Sequence, residues 1–120
     1  MLTFALLLAG LDASGMCAGT VKGVPGAPIA IENRGRQSIY NLYASPAGKS
    51  GWGCDRLDDF TIPASGNRTI AIAHPRGLCL YRLKLVLADK GERVRKVDVC
   101  RGGRWVVTAA GEWFEAPAAD

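Results

Sequence analysis

Two cysteines, Cys79 and Cys100, bracket the run CLYRLKLVLADKGERVRKVDVC, and no other stretch constrains the fold as much. Tyr81, Leu83, Leu85 and Leu87 fall at every second position, with Arg82 and Lys84 between them. A period of two belongs to a strand with one buried face. Asp89-Lys90-Gly91 supplies a turn and RVRKVDV returns, so the run reads as a hairpin. A turn centred on Asp89-Lys90 sets Cys79 directly opposite Cys100, where Cβ atoms reach the ~3.8 Å separation of a disulfide. The apolar pattern asks for a different register: Leu83 and Leu85 want Val97 and Val99 across from them, which shifts the pairing by one residue. A β-bulge between the valines and Cys100 satisfies both demands, and that bulge is expected. Closing a loop of about twenty residues adds ~3 kcal/mol in the chain-entropy model. Redox chemistry at the pair would need a thiolate beside a positive charge or a helix N-terminus. Arg101 is adjacent in sequence but no helix is expected, so the pair reads as a structural staple.

The remaining chain repeats the strand pattern. APIAIEN, QSIYNLYASP, FTIPASGNRTIAIA and RWVVTAA are short apolar runs separated by Gly-, Asn- and Pro-rich turns. Arg101-Gly102-Gly103-Arg104 reads as a two-glycine hairpin turn, which would place Trp105 opposite Cys100 and pack it against the disulfide. No run carries a 3.6-residue period with caps at both ends. About seven short strands imply an all-β fold, an antiparallel β-sandwich of Ig-like or small barrel-like form. The 120 residues suffice for one domain. Its expected limits are residues 29–110, preceded by a truncated signal peptide at 1–19 and a Gly/Pro-rich linker at 20–28, and followed by a flexible tail at 111–120.

The signal-peptide reading rests on LTFALLLAGL, which is too short for the ~20 residues of a membrane span. Small residues follow it, with Ala13-Ser14-Gly15 an acceptable cleavage site, although no Lys or Arg precedes the apolar run. Asp12 argues against a retained anchor, so no stable membrane insertion of the mature chain is expected. Export to the periplasm or beyond makes four cysteines in a short chain intelligible as disulfides. The net charge is +4, with the basic residues scattered between positions 22 and 104. Without a block of like charge, no nucleic-acid partner is expected.

Beyond these patterns, Asn33, Tyr43, Ser45, Pro46, Trp52, Gly53, Asp55 and Leu57 form an Asn-x-x-Gly turn, a Tyr-x-Ser-Pro strand end and a Trp-Gly-x-Asp-x-Leu loop. Together with Cys79, Leu83, Asp89, Asp98 and Cys100, they resemble a group of small exported bacterial proteins of unknown function. Cys54 departs from that pattern by occupying the variable position of the loop, and Lys90 by separating Asp89 from Gly91. The resemblance implies an exported β-sandwich and brings no activity with it.

Several residues are candidates for chemistry. If cleavage leaves Cys17 in the chain, a Cys17–Cys54 bond would complete the even count, one of three connectivities open to four cysteines; a free Cys54 would be oxidisable and able to join two chains into a dimer. Asp55, Asp58 and Asp59 offer oxygen ligands, but the spacing is no EF-hand and Arg56 intervenes. The simpler reading is that Asp55 accepts backbone amides to shape its loop. Neither a metal nor another cofactor is expected. Trp52 and Trp113 remain as exposed aromatic contacts for a protein or glycan partner. His74, the only histidine, reads as a turn residue. No phosphate-binding glycine loop, nucleophile elbow or paired catalytic carboxylates occur. The expectation is therefore a non-enzymatic exported binding or envelope-associated module. Its alternatives are an inhibitor of an extracellular enzyme, acting through GKSGWGCD, and a small calcium- or glycan-binding domain.

Overall fold

The computed structural model describes residues 23–117. The expected signal peptide, with Cys17, lies outside the described residues. Seven strands and no helix make up the described chain: β1 (Ile29–Arg34), β2 (Ile39–Pro46), β3 (Asn67–Ile70), β4 (Leu80–Leu87), β5 (Glu92–Asp98), β6 (Gly103–Thr108) and β7 (Glu112–Glu115). They form two sheets, one of order β3-β1-β6-β7 and one of order β2-β4-β5. The alternation that defines β4 survives intact, with Tyr81, Leu83, Leu85 and Leu87 buried and Arg82, Lys84 and Val86 turned away. Ile29 and Ile31 of β1 and Trp105 and Val107 of β6 meet that face in a single core cluster with Leu42, Ala44 and Val97. One apolar face from each sheet thus closes the core, as sandwich packing requires.

Three expectations about connectivity are corrected. First, Gly102-Gly103 is a crossover between sheets, because β5 belongs to one sheet and β6 to the other. Gly102 (φ +76) passes so close to the N-terminal segment that a Cβ there would lie 2.3 Å from the Pro28 carbonyl oxygen. Second, β6 then runs parallel to β1, with Ile29 opposite Gly103 and Ile31 opposite Trp105, so the larger sheet is mixed. Third, Trp105 is not set opposite Cys100; its register partners are Ile31 and Phe114.

The expected bulge next to Cys100 is also absent. β4 and β5 pair without a break from Leu80↔Asp98 to Val86↔Glu92. The pairing centres on Asp89, one half-residue earlier than Asp89-Lys90, because Lys90 takes the left-handed conformation (φ +73) and closes a three-residue connection. Val99 is consequently the residue that bonds Cys79, its N–H donating to the Cys79 carbonyl at 2.8 Å. Cys100 reaches Cys79 by a turn instead. Asp98 Oδ1 accepts the Cys100 and Arg101 amides at 2.9 and 3.2 Å, bending the chain back at the strand's end. The bond itself is present, with Cα atoms 5.2 Å apart. The bulge that does occur lies on β2, between Ile39 and Asn41, and leaves Tyr40 exposed.

Both margins of the domain differ from expectation as well. Residues 23–28, read as linker, are tied down: Val24 and His74 exchange backbone hydrogen bonds, and the Ala27 amide donates to Val99. At the other end β7 lies within the segment read as a flexible tail. Its Glu112 carboxylate accepts the Trp105 indole N–H at 2.6 Å and a two-pronged contact from Arg95 at 2.7 and 3.0 Å. That contact joins β5 of one sheet to β6 and β7 of the other.

Candidate functional site

The connection from β2 to β3 carries most of the residues singled out in the sequence, and the fold fixes it to the outer face of β4. Gly48, Gly51 and Gly53 all have positive φ with open space around them, so the chain loops outward through an exposed tip at residues 48–51. Below the tip the loop is anchored repeatedly. Arg82 Nη2 donates to the Lys49 carbonyl at 2.8 Å. The Arg82 guanidinium lies 4.4 Å from the centre of the Trp52 ring and Lys84 Nζ 4.7 Å from it. Lys84 also sits 5.3 Å from the Tyr43 ring, which completes a stack of alternating cations and aromatic rings across β2 and β4. Arg82 Nε is the one buried side-chain polar atom among those described that lacks a hydrogen bond. The adjoining indole face offsets part of its desolvation.

Asp55 closes the loop's base. Its Oδ1 accepts the backbone amides of Leu42 and Leu57, both at 2.9 Å, and Oδ2 accepts Asn41 Nδ2 at 2.9 Å. These three bonds occupy the carboxylate, whereas Asp58 and Asp59 are exposed. The three aspartates do not converge into a ligand group. Among the described residues the one cluster of metal-ligand type is Cys79, Asp98 and Cys100, whose two sulfurs are bonded to each other. Cys54 is disulfide-bonded and no described cysteine is free, so the condition attached to a Cys54-linked dimer is not met.

Trp52 and Trp113 are not neighbours. Trp52 stacks on the three-stranded sheet, while Trp113 lies on β7, donates to Glu115 at 2.8 Å and has Arg34 5.7 Å from its ring. On that face Arg104 bridges Glu32 and Glu115 at 2.7 and 2.6 Å. Hydrogen bonds from Arg34 and then Arg104 hold the Glu32 carboxyl below its ordinary range. Bonds from Trp113 and then Arg104 do the same for Glu115. A cleft of about 210 Å³ opens at the other end of β4, lined by Asn33, Gln37, Leu87, Asp89, Arg93 and Val107. It contains neither Cys54 nor His74, and its Asp89 is already bonded to Gln37 and the Gly91 amide.

His74 is the residue whose place the sequence did not disclose. It is buried, and its ring lies against the Cys79–Cys100 disulfide, with Nε2 3.4 Å from Cys100 Sγ. Its position five residues before Cys79 was the one available clue; a turn closed by the Leu78 amide on the Pro75 carbonyl joins the two. Comparison with protein-family models, curated proteins and solved structures returned no match.

Proposed function

We propose that this chain is an extracytoplasmic binding module that takes an acidic glycan along the outer face of β2, β4 and β5. The observation that carries this reading is the Tyr43–Lys84–Trp52–Arg82 stack under a multiply anchored loop. The aromatic rings of the stack offer apolar surface to a sugar, and the exposed cations beside it offer partners to carboxylates or sulfates. Lys49 on the loop tip and Lys96, opposite Arg82 in the register, flank the stack as exposed cations. A loop held by Arg82 and Asp55 loses little freedom on binding, which is where affinity is usually lost. Disulfide-bonded cysteines support an oxidising compartment. No described helix is long and apolar enough to cross a membrane.

The test is retention on immobilised polygalacturonate against uncharged dextran at low and high salt. Retention specific to the acidic matrix and lost at high salt is the expected result. Trp52→Ala and the doubly reversed Lys49→Glu/Lys96→Glu chain should each bind about tenfold more weakly, equivalent to ~1.4 kcal/mol. Equal retention on both matrices, or unchanged binding by both variants, would sink the reading.

A further inference from the structure

A staple needs only that its two sulfurs be joined and packed. The Cys79–Cys100 bond has more around it than that. Both cysteines are half-exposed, and the His74 ring is buried against Cys100 Sγ at 3.4 Å from Nε2 and 3.7 Å from Nδ1. The tautomer follows from the other contact. Nδ1 lies 2.9 Å from the Pro75 carbonyl oxygen, which can only accept, so Nδ1 is assigned the proton and Nε2 presents its lone pair to the sulfur. The ring is held there by its own backbone, because Val24 and His74 exchange hydrogen bonds at 2.8 and 3.0 Å. His74 is the only histidine, and no described imidazole contact reaches Cys79. The two ends of the disulfide are therefore chemically unequal.

We propose that Cys79–Cys100 is a thiol–disulfide exchange site for low-molecular-weight thiols, in which Cys79 is attacked and Cys100 departs toward His74. The lone pair of the incoming thiolate forms the bond to Cys79 Sγ. The Cys79–Cys100 bond breaks and its electron pair leaves on Cys100 Sγ. The proton lost by the thiol is taken up by the Cys100–His74 Nε2 couple, giving R–S–S–Cys79 and Cys100–SH. A second thiol then releases R–S–S–R from Cys79, so the protein gains two electrons and the two thiols lose them. Taking up the first thiol's proton turns Nε2 into a donor, and an imidazolium beside the departing sulfur lowers the cost of the charge it acquires; a better leaving thiolate leaves faster. The other charged groups at this corner are Asp98, whose carboxylate lies within 4.8 Å of both sulfurs, and Arg76 and Arg101, both exposed. Asp98 opposes negative charge on sulfur, but its Oδ1 is engaged by two backbone amides. His74 is thus the group in contact with the leaving atom.

The experiment incubates the oxidised full chain with reduced glutathione at pH 7, quenches with iodoacetamide, and maps adducts by mass. The expected result is a glutathione adduct on Cys79 and a carbamidomethyl group on Cys100, formed about tenfold more slowly in His74→Gln. Urea unfolding of both proteins, run in parallel, separates a loosened fold from a lost base. Adducts divided equally between the two cysteines, or favouring Cys100, would overturn the proposal. So would a His74→Gln rate within twofold of the wild type or above it. If His74→Gln does not fold, the position of the wild-type adduct decides alone.

Discussion

Glu112 satisfies two demands with one carboxylate, one from each sheet. Trp105 is fully buried and its indole N–H has Glu112 as acceptor, while Arg95 reaches the same carboxylate from the facing sheet. The Arg95 hydrogen bond, assisted by that of Trp105, holds the Glu112 carboxyl below its ordinary range against the opposing effect of burial. A carboxylate with a depressed value stabilises the fold fully above its unfolded value of ~4.3 and loses that contribution as pH falls through the folded value. Urea denaturation should accordingly show stability dropping below about pH 4, with a shallower drop in Glu112→Gln. Glu112→Ala leaves a buried N–H unpaired and should cost about 2 kcal/mol at pH 7. A loss under ~0.5 kcal/mol would mean that water replaces the carboxylate freely. None of this was legible from sequence, because Glu112 fell in the segment read as a flexible tail. Asp55 was legible, since an aspartate beside glycines in a loop commonly accepts nearby amides, and it does.

At the scale of single elements, strands were easier to read than their connections. The period-two pattern of β4 arises from burial of one face, a local property of the residues themselves. Gly102-Gly103 shows where such reading stops. Two glycines between apolar runs look alike whether the chain turns back to its neighbour or crosses to the facing sheet. What decided between them was Pro28, seventy-odd residues away in sequence and against Gly102 in space. Gly102→Ala tests the crossover directly: a left-handed φ costs ~1–2 kcal/mol for an alanine, and the Pro28 oxygen must move as well. The expected loss is about 3 kcal/mol by chemical denaturation. If the substitution is neutral, the crossover does not have this close approach. Lys90 misled in a similar way, for a lysine in the left-handed region moved the hairpin centre by half a residue. That half-residue is the whole difference between the expected bulge and the observed turn at Asp98.

For the molecule as a whole, the disulfide and the inter-sheet Glu112 contact act on different parts of the sandwich. The disulfide ties the start of β4 to the turn that follows β5, both belonging to the smaller sheet and its exit. Replacing both cysteines by serine should lower stability by ~3 kcal/mol. In a domain of this size that corresponds to a melting temperature lower by roughly 15 °C. A shift under 3 °C would show that the Asp98 turn holds the corner unaided. Of the sandwich itself, the strand number and the staple were evident from sequence. The parallel pairing was not, because strand direction is set by partners distant in the chain.

That parallel pair has a consequence for how the chain acquires its structure. Of the described strands β1 is made first, yet its neighbour on one side, β6, is sixth of the seven, with Ile29 waiting for Gly103. β3 can join β1 early, but the larger sheet stays open along that edge until β6 is present. Distant pairing of this kind is slow, since a long loop must close before any contact repays it. The β4–β5 hairpin is local and has no such delay. Assembly should therefore begin at the β4–β5 hairpin and end by sealing β1 against β6.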